Sequence, residues 1–358
     1  MQLSDPAVRA RLADTVGEVD RLVLLGDVVE LRQSRALDAL AAASRILPDV
    51  VAGLPDGAEI VVVPGNHDHA LSAGWALRRS TAREAPLELE QPIAAVPGEP
   101  LDVLLGMLAA PRRHVRAAYP GVWLRDDVYA HHGHYLDRHT TVPLFERLGA
   151  AAMTRLTRTS PAVAAPPSPP ATVAEYERVL APLYAWMYPI AQARVADASA
   201  GDSPSLRAWK LLQHGRGPRR WLLSAGAHAL VAGINRTSLG PLSASALRGN
   251  IDGAELPAFA AVLDALGVRA RYAIFGHTHR AGPLAGDSDS SWTTPSGIRM
   301  INCGSWVWDG PFDDAQARVA SPYRPGFAVL IDGDAAPQIV DVVGGVAARP
   351  AALRAIGE

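Results

Sequence analysis

The sequence predicts an α/β sandwich. Apolar, strand-like stretches alternate with helical stretches in the N-terminal part of the chain, whereas strands follow one another near its end. This combination favours a sandwich over a simple Rossmann domain. The predicted strands occupy residues 22–25, 59–63, 122–130, 271–275, 298–302, 327–332 and 338–343.

One helix is predicted before the first strand and another after it. Asp5 and Pro6 form an N-cap and first-turn pair, because apolar residues recur at helical spacing directly behind them. The second helix is predicted at about residues 34–47. These helices flank the strand at 22–25, as an α/β fold requires.

Charge, cysteine content and hydropathy argue against nucleic-acid-binding, disulfide-rich and membrane-spanning proteins. A net charge of -2 over 358 residues gives no reason to expect nucleic acid as a partner. Cys303 is the only cysteine, which excludes a disulfide framework and predicts a reducing, cytoplasmic setting. The longest apolar run, residues 221–234, is shorter than the roughly 20 residues of a membrane-spanning helix. The N-terminus lacks the pattern of a signal peptide.

Residues 141–250 differ in composition from the rest of the chain. They hold 12 Arg and Lys residues against five acidic ones, a net charge of 12 − 5 = +7, and they contain long apolar helical stretches. We expect a helical insertion that forms a lid over the site of one domain made of residues 1–140 and 251–358. A basic and apolar lid suits a lipid-linked phosphate and peripheral membrane contact. A helical insertion with Arg on its solvated face explains the composition equally well.

Four short clusters carry the chemistry of the sequence. They are Gly26-Asp27, Gly65-Asn66-His67-Asp68, His132-Gly133-His134 and Gly276-His277-Thr278-His279, and each follows a predicted strand. Loops at strand ends bring such side chains to a common point, and glycine permits the sharp turns. Imidazole, carboxylate and amide oxygen are ligands for Mn, Fe, Zn, Co or Ni. Each cluster alone is more often structural, but together they predict a metal site.

The order GD…GNHD…HGH…GHTH resembles the calcineurin-like metallophosphoesterases over about residues 21–310. The resemblance implies a four-layer α/β/β/α sandwich that binds two divalent metal ions. It also implies hydrolysis of a phosphate or pyrophosphate ester by a metal-bound hydroxide, with a small-molecule or lipid-linked phosphate as substrate.

The resemblance assigns five metal ligands. Asp27 would bridge the two ions, Asn66, His132 and His277 would complete one site, and His279 would join the other. A bridging carboxylate offsets charge on both ions, and two ions together can clamp a phosphoryl oxygen.

The resemblance also implies roles around the metals. His67 would contact the phosphate or protonate the leaving oxygen, with Asp68 orienting its ring, and Glu30 would lie behind the ligands. His134 is a candidate substrate-binding residue, although a plain loop position is as good an interpretation. Arg280 could reach a substrate phosphate, but a surface salt bridge is the favoured interpretation.

One motif of the family is missing. The family begins with D-x-H after its first strand, whereas here the only candidate, Asp5, has Ala7 in place of the histidine and is better explained as a helix N-cap. We expect the upstream reading frame to encode a strand ending in D-x-H. The alternative is a catalytically impaired or non-catalytic scaffold of the same fold.

Overall fold

The computed structural model describes residues 2–32, 34–140, 170–195, 254–307 and 321–344. Within these residues, seven strands form one curled, mostly parallel sheet and two form a separate hairpin. The strands are β1 (Arg21–Leu25), β2 (Glu59–Val63), β3 (Glu90–Pro92), β4 (His114–Arg125), β5 (Val128–His131), β6 (Tyr272–Phe275), β7 (Arg299–Asn302), β8 (Phe327–Leu330) and β9 (Gln338–Asp341). The predicted α/β class is therefore confirmed.

Helices connect and cover the strands. They are α1 (Pro6–Val16), α2 (Ala36–Ala43), α3 (Leu47–Val51), α4 (Ala70–Ala82), α5 (Pro100–Leu108), α6 (Val173–Val195) and α7 (Glu255–Ala265), with 3₁₀ turns at Gln2–Ser4 and His134–Arg138. The N-cap prediction is confirmed, because Asp5 Oδ1 accepts a hydrogen bond from the Ala7 amide at 2.8 Å. Across the described residues, no helix combines the length and apolarity needed to cross a membrane.

Two predicted elements are each divided in the structure. The helix predicted at 34–47 ends at Ala43, and α3 starts again around Pro48, whose ring suits a first turn but not a helix interior. The strand predicted at 122–130 is a hairpin, in which the Asp126-Asp127 turn separates the end of β4 from β5. Asp is unfavourable within strands and favourable in turns.

The long strand β4 determines where the loops meet. Its first half pairs in parallel with β2, and its second half pairs antiparallel with β5. Val62 lies opposite Ala117 and His131 lies opposite Gly121, so β2 and β5 end head to head near the middle of β4. The ends of β1 and β6 lie beside those of β2 and β5. The four loops predicted to carry the site therefore converge, although the two pairs of strands run in opposite directions.

Buried side chains form three clusters. In β2, Ile60 and Val62 join a cluster shared with α2–α5, while Val61 and Val63 face a second cluster shared with β4–β7. In β6, Ala273 and Phe275 face a third, aromatic cluster that includes α6 and α7. Helices thus cover one face of the half that contains β2 and one face of the half that contains β6. The opposite faces of the two halves contribute to the same cluster.

Helix α6 belongs to the predicted insertion but is an integral part of this core. Its Val173, Tyr176, Leu180 and Tyr184 are buried in the aromatic cluster. The other residues of the predicted insertion, 141–169 and 196–250, lie outside the described residues.

Candidate metal centre

Four of the predicted metal ligands lie together where the loops converge. The metal-binding atoms of Asp27, His132 and His277 all lie within 4.8 Å of one another. Asn66 Oδ1 lies 3.2 Å from His132 Nε2 and 3.1 Å from His277 Nδ1. We call these four residues the Asp27 cluster. They come from the loops after β1, β2, β5 and β6.

Two glycines make the close approach possible. Gly26 has a φ of 81°, and a Cβ there would overlap the imidazole of His132. A Cβ on Gly65 would overlap Oδ1 of Asp27. Asp27 itself has a φ of 52°, in the left-handed region that non-glycine residues rarely adopt. The tight loops therefore serve to bring the carboxylate against the imidazole.

Hydrogen bonds on the outer side of each ring fix which nitrogen faces the cluster. His132 Nδ1 donates to the carbonyl of Leu25 at 2.9 Å, so its Nε2 lone pair points at Asp27 Oδ2, 3.2 Å away. His277 Nε2 donates to Asp137 Oδ1 at 3.1 Å, so its Nδ1 lone pair points at Asn66 Oδ1. Asp27 Oδ2 and the His132 Nε2 lone pair are both acceptors, so an added proton or a cation between them would satisfy both.

The charges in the cluster attract positive charge, which either a proton or a metal ion can supply. Burial lowers the pKa of His132, but the Asp27 carboxylate outweighs burial and raises it to about 9. Burial opposes ionisation of Asp27, yet His132, His67 and His277 hold the pKa of Asp27 well below its usual range. The cluster thus contains an ionised carboxylate and a strongly basic imidazole. Two imidazoles, a carboxylate and an amide oxygen fit a divalent ion such as Mn, Fe, Zn, Co or Ni.

His67 lies beside the cluster, and Glu30 orients its ring. The His67 amide donates to Asp27 Oδ1 at 2.8 Å, and its Nδ1 lies 2.7 Å from Glu30 Oε2. The role expected for Asp68 as the orienting residue is wrong. Asp68 is fully buried and accepts hydrogen bonds from the amides of Val28 and Gly65 at 2.7 and 2.6 Å. It therefore ties the first two site loops together, because its carboxylate points toward the backbone.

Three residues near the centre escaped the sequence-based prediction. Arg32 Nη1 lies 3.4 Å from His67 Nε2, and Tyr184 of α6 donates to Asp137 Oδ2 at 2.9 Å. Arg32 follows Glu30 by only two residues, and Asp137 follows the HGH motif by three, so proximity to the motifs was the available signal. Tyr184 gave none, because only the packing of α6 brings it to the centre.

The remaining predicted residues do not join the Asp27 cluster. His134, a candidate substrate contact, is fully buried among aromatic rings, so it presents no surface to a ligand. Arg280 is paired with Asp287 and stacks on Trp292, which agrees with the salt-bridge interpretation and not with a substrate contact. His279 has a left-handed φ of 64° and is not a member of the group. Its place in a second metal site stays a prediction.

Among the described residues, one group of three or more His, Cys, Asp or Glu side chains lies close enough together to hold a metal ion. Its members are Asp27, His132 and His277. The sequence matches neither a model of a known protein family nor a curated protein. The support for a metal centre therefore comes from the geometry of this chain and not from relatives.

Proposed function

We propose that the protein is a metal-dependent phosphoesterase that hydrolyses a phosphate or pyrophosphate ester. The observation that carries this proposal is the convergence of acceptor atoms in the Asp27 cluster, with the basic ring of His67 alongside. When bound, divalent cations supply Lewis-acid activation of water and of a phosphoryl oxygen. The proposal includes two such ions, of which the Asp27 cluster would hold one.

The distribution of buried residues supports the finer fold that the proposal requires. One half of the sheet is covered by α2–α5 and the other half by α6 and α7, and the opposite faces share one apolar cluster. A helix layer, two sheet layers and a second helix layer would produce this distribution. We therefore propose a four-layer α/β/β/α sandwich.

In this proposal His67 contacts the phosphoryl group and protonates the leaving oxygen. Burial lowers the pKa of His67, but the neighbouring carboxylates of Glu30 and Asp27 outweigh burial and raise it above its ordinary value. Glu30 engages Nδ1, which leaves Nε2 as the atom that can transfer a proton. The raised pKa favours a ring that keeps a proton available for the developing alkoxide.

Arg32 supplies a second contact for the same anion. When His67 is protonated, its Nε2–H and the Nη1–H of Arg32 are both donors, yet the two nitrogens are 3.4 Å apart. A phosphoryl oxygen to one side of the pair could accept from both nitrogens and relieve their repulsion. We propose that a phosphate oxygen occupies this position. The substrate would be a small-molecule or lipid-linked phosphate.

A non-catalytic scaffold of the same fold is the second candidate. The observation in its favour is that Asp5 caps α1, so the described residues offer no D-x-H motif for a second metal. Protonation of His132 would also satisfy the Asp27 cluster without a cation. The two candidates differ in metal content and turnover.

The experiment compares metal content with hydrolysis of bis-p-nitrophenyl phosphate in the presence of Mn²⁺. We expect the wild type to bind metal and turn over, and His67→Ala to lower kcat by about 10²–10⁴-fold at unchanged metal content. The matched control is His114→Ala, an exposed histidine at the start of β4, which should leave both values unchanged. A wild type that neither binds metal nor hydrolyses the ester would support the scaffold.

A further inference from the structure

We propose that Asp137 is a positioning residue for the metal ligand His277, and that Tyr184 of α6 holds Asp137 in place. This inference rests on the metal centre of the proposed function and deepens it. It assigns part of the metal affinity to a helix that the sequence places in a separate insertion.

The three side chains form a continuous chain of hydrogen bonds. His277 Nε2 lies 3.1 Å from Asp137 Oδ1, and the Tyr184 hydroxyl donates to Asp137 Oδ2 at 2.9 Å. The side chains of His277 and Asp137 are 13% and 15% exposed, and Tyr184 is 5% exposed. Water is therefore poorly placed to replace either hydrogen bond.

Asp137 selects the tautomer and the orientation of His277. A carboxylate at Nε2 keeps the ring proton on that nitrogen, so the Nδ1 lone pair stays directed into the Asp27 cluster. His277 has a left-handed φ of 67° and meets the ring of His132 edge to face at 5.4 Å. Backbone and ring packing limit where the imidazole can lie, and Asp137 determines which nitrogen points inward.

Tyr184 determines where the carboxylate of Asp137 lies. Asp137 is at the end of a short 3₁₀ turn, His134–Arg138, whose backbone alone does not fix its side-chain oxygens. The Tyr184 hydroxyl donates to Oδ2, and Oδ1 accepts from His277. The Tyr184 ring is itself packed against His69 and His134. The Tyr184 hydroxyl also lies 3.3 Å from the carbonyl oxygen of His134, but of its two described hydrogen-bond partners only Asp137 contacts a member of the Asp27 cluster through its side chain.

The test is a double-mutant cycle on Co²⁺ affinity, measured by titration of the full chain and read from the visible absorption of bound Co²⁺. We expect Asp137→Ala to weaken binding roughly 10–100-fold and to change the absorption spectrum. Tyr184→Phe should weaken binding roughly two- to tenfold, the worth of one hydrogen bond. If Tyr184 acts through Asp137, the double variant should match Asp137→Ala alone.

Tyr176→Phe is the matched control. It removes a hydroxyl from the same helix, and that hydroxyl contacts His139 at 2.8 Å and no member of the Asp27 cluster. Its Co²⁺ affinity should equal that of the wild type. Asp137→Asn retains an oxygen that can accept from Nε2, so it should fall between the wild type and Asp137→Ala. If Asp137→Ala does not fold in a thermal unfolding measurement, the cycle is run with Asp137→Asn.

Two results would overturn the inference. Wild-type Co²⁺ affinity and spectrum in the Asp137 variant would show that His277 needs no positioning, and strictly additive losses would show that Tyr184 does not act through Asp137. Both leave the proposed function intact. A wild-type chain that binds no Co²⁺ removes the metal centre itself, and the inference falls with the proposed function.

Discussion

His132 and His134 are two residues apart and equally deep, yet their chemistry is opposite. His132 faces Asp27, and its pKa is raised to about 9, whereas burial holds the pKa of His134 well below its ordinary value. The His134 ring packs against His131, Tyr135 and other aromatic side chains, and its Nδ1 has no hydrogen-bond partner among the described residues.

The comparison separates two kinds of buried histidine in one molecule. Burial disfavours the charged ring in both places, so a carboxylate partner decides whether an imidazole is basic. Histidines in the Asp27 cluster are therefore candidates for cation binding, and those in the aromatic layer are neutral packing residues. Two changes test this distinction, beginning with the larger expected effect, and a third tests where the site ends.

Asp27→Asn should make His132 resemble His134. Without the carboxylate, burial dominates, and the pKa of His132 should fall from about 9 toward or below its ordinary value of about 6.5. Breaking a buried ion pair should cost about 3–5 kcal/mol of unfolding free energy, and metal binding should be lost. NMR titration of the ring in the metal-free protein checks the first result. A pKa that stays near 9 would exclude Asp27 as its cause.

His69 represents the buried histidines of the aromatic layer, and the pH dependence of unfolding tests whether it is neutral. It is buried against Tyr184, and burial lowers its pKa from 6.5 to about 4. Between these values the unfolded chain binds a proton that the folded chain does not. The contribution of His69 is thus fully present above pH 6.5 and is lost as the pH falls toward 4. The largest loss is about 3 kcal/mol.

His69→Leu removes this titration. Urea unfolding between pH 4 and 7 should therefore show a shallower loss of stability for the variant than for the wild type. Equal pH dependence in the two proteins would mean that His69 is solvated or finds a carboxylate in the folded chain.

Arg280→Ala should have the smallest effect and so marks the edge of the site. Arg280 pairs with Asp287 and stacks on Trp292, and both charged side chains are partly exposed. We expect a loss of about 0.2–1 kcal/mol of stability and unchanged turnover and metal content. A fall in kcat/KM without a loss of stability would instead assign Arg280 to the substrate.

The sequence predicts the four clusters and most strands, because each cluster contains a glycine and follows an apolar run, but it misses β3 and the first half of β4. It does not predict the different surroundings of His132 and His134. Period-two spacing would place both on one face, but Gly133 has a φ of 111° and starts a 3₁₀ turn that carries His134 beneath the sheet. The family resemblance likewise misled the assignment of Asp68, whose carboxylate accepts from backbone amides.

The other features that the sequence does not predict are contacts between distant segments. Glu30 comes to His67 across 37 residues, and Asp137 comes to His277 across 140. No local pattern encodes such pairs, because they depend on the curl of the sheet and on the packing of α6. The alternation that predicts a strand also gives no sign that β4 serves two halves of one sheet.

Because β2 and β5 end head to head on β4, the geometry of the Asp27 cluster depends on the register of both strands against β4. Asp27 and Asn66 are carried by one half of the sheet, and His132 and His277 by the other. A slip of one residue along β4 would move the halves apart by about 3.3 Å, which is longer than a metal–ligand bond. Cation binding would thus stabilise only the native register. The residues that bind the metal for catalysis would then also favour the correct pairing of the strands.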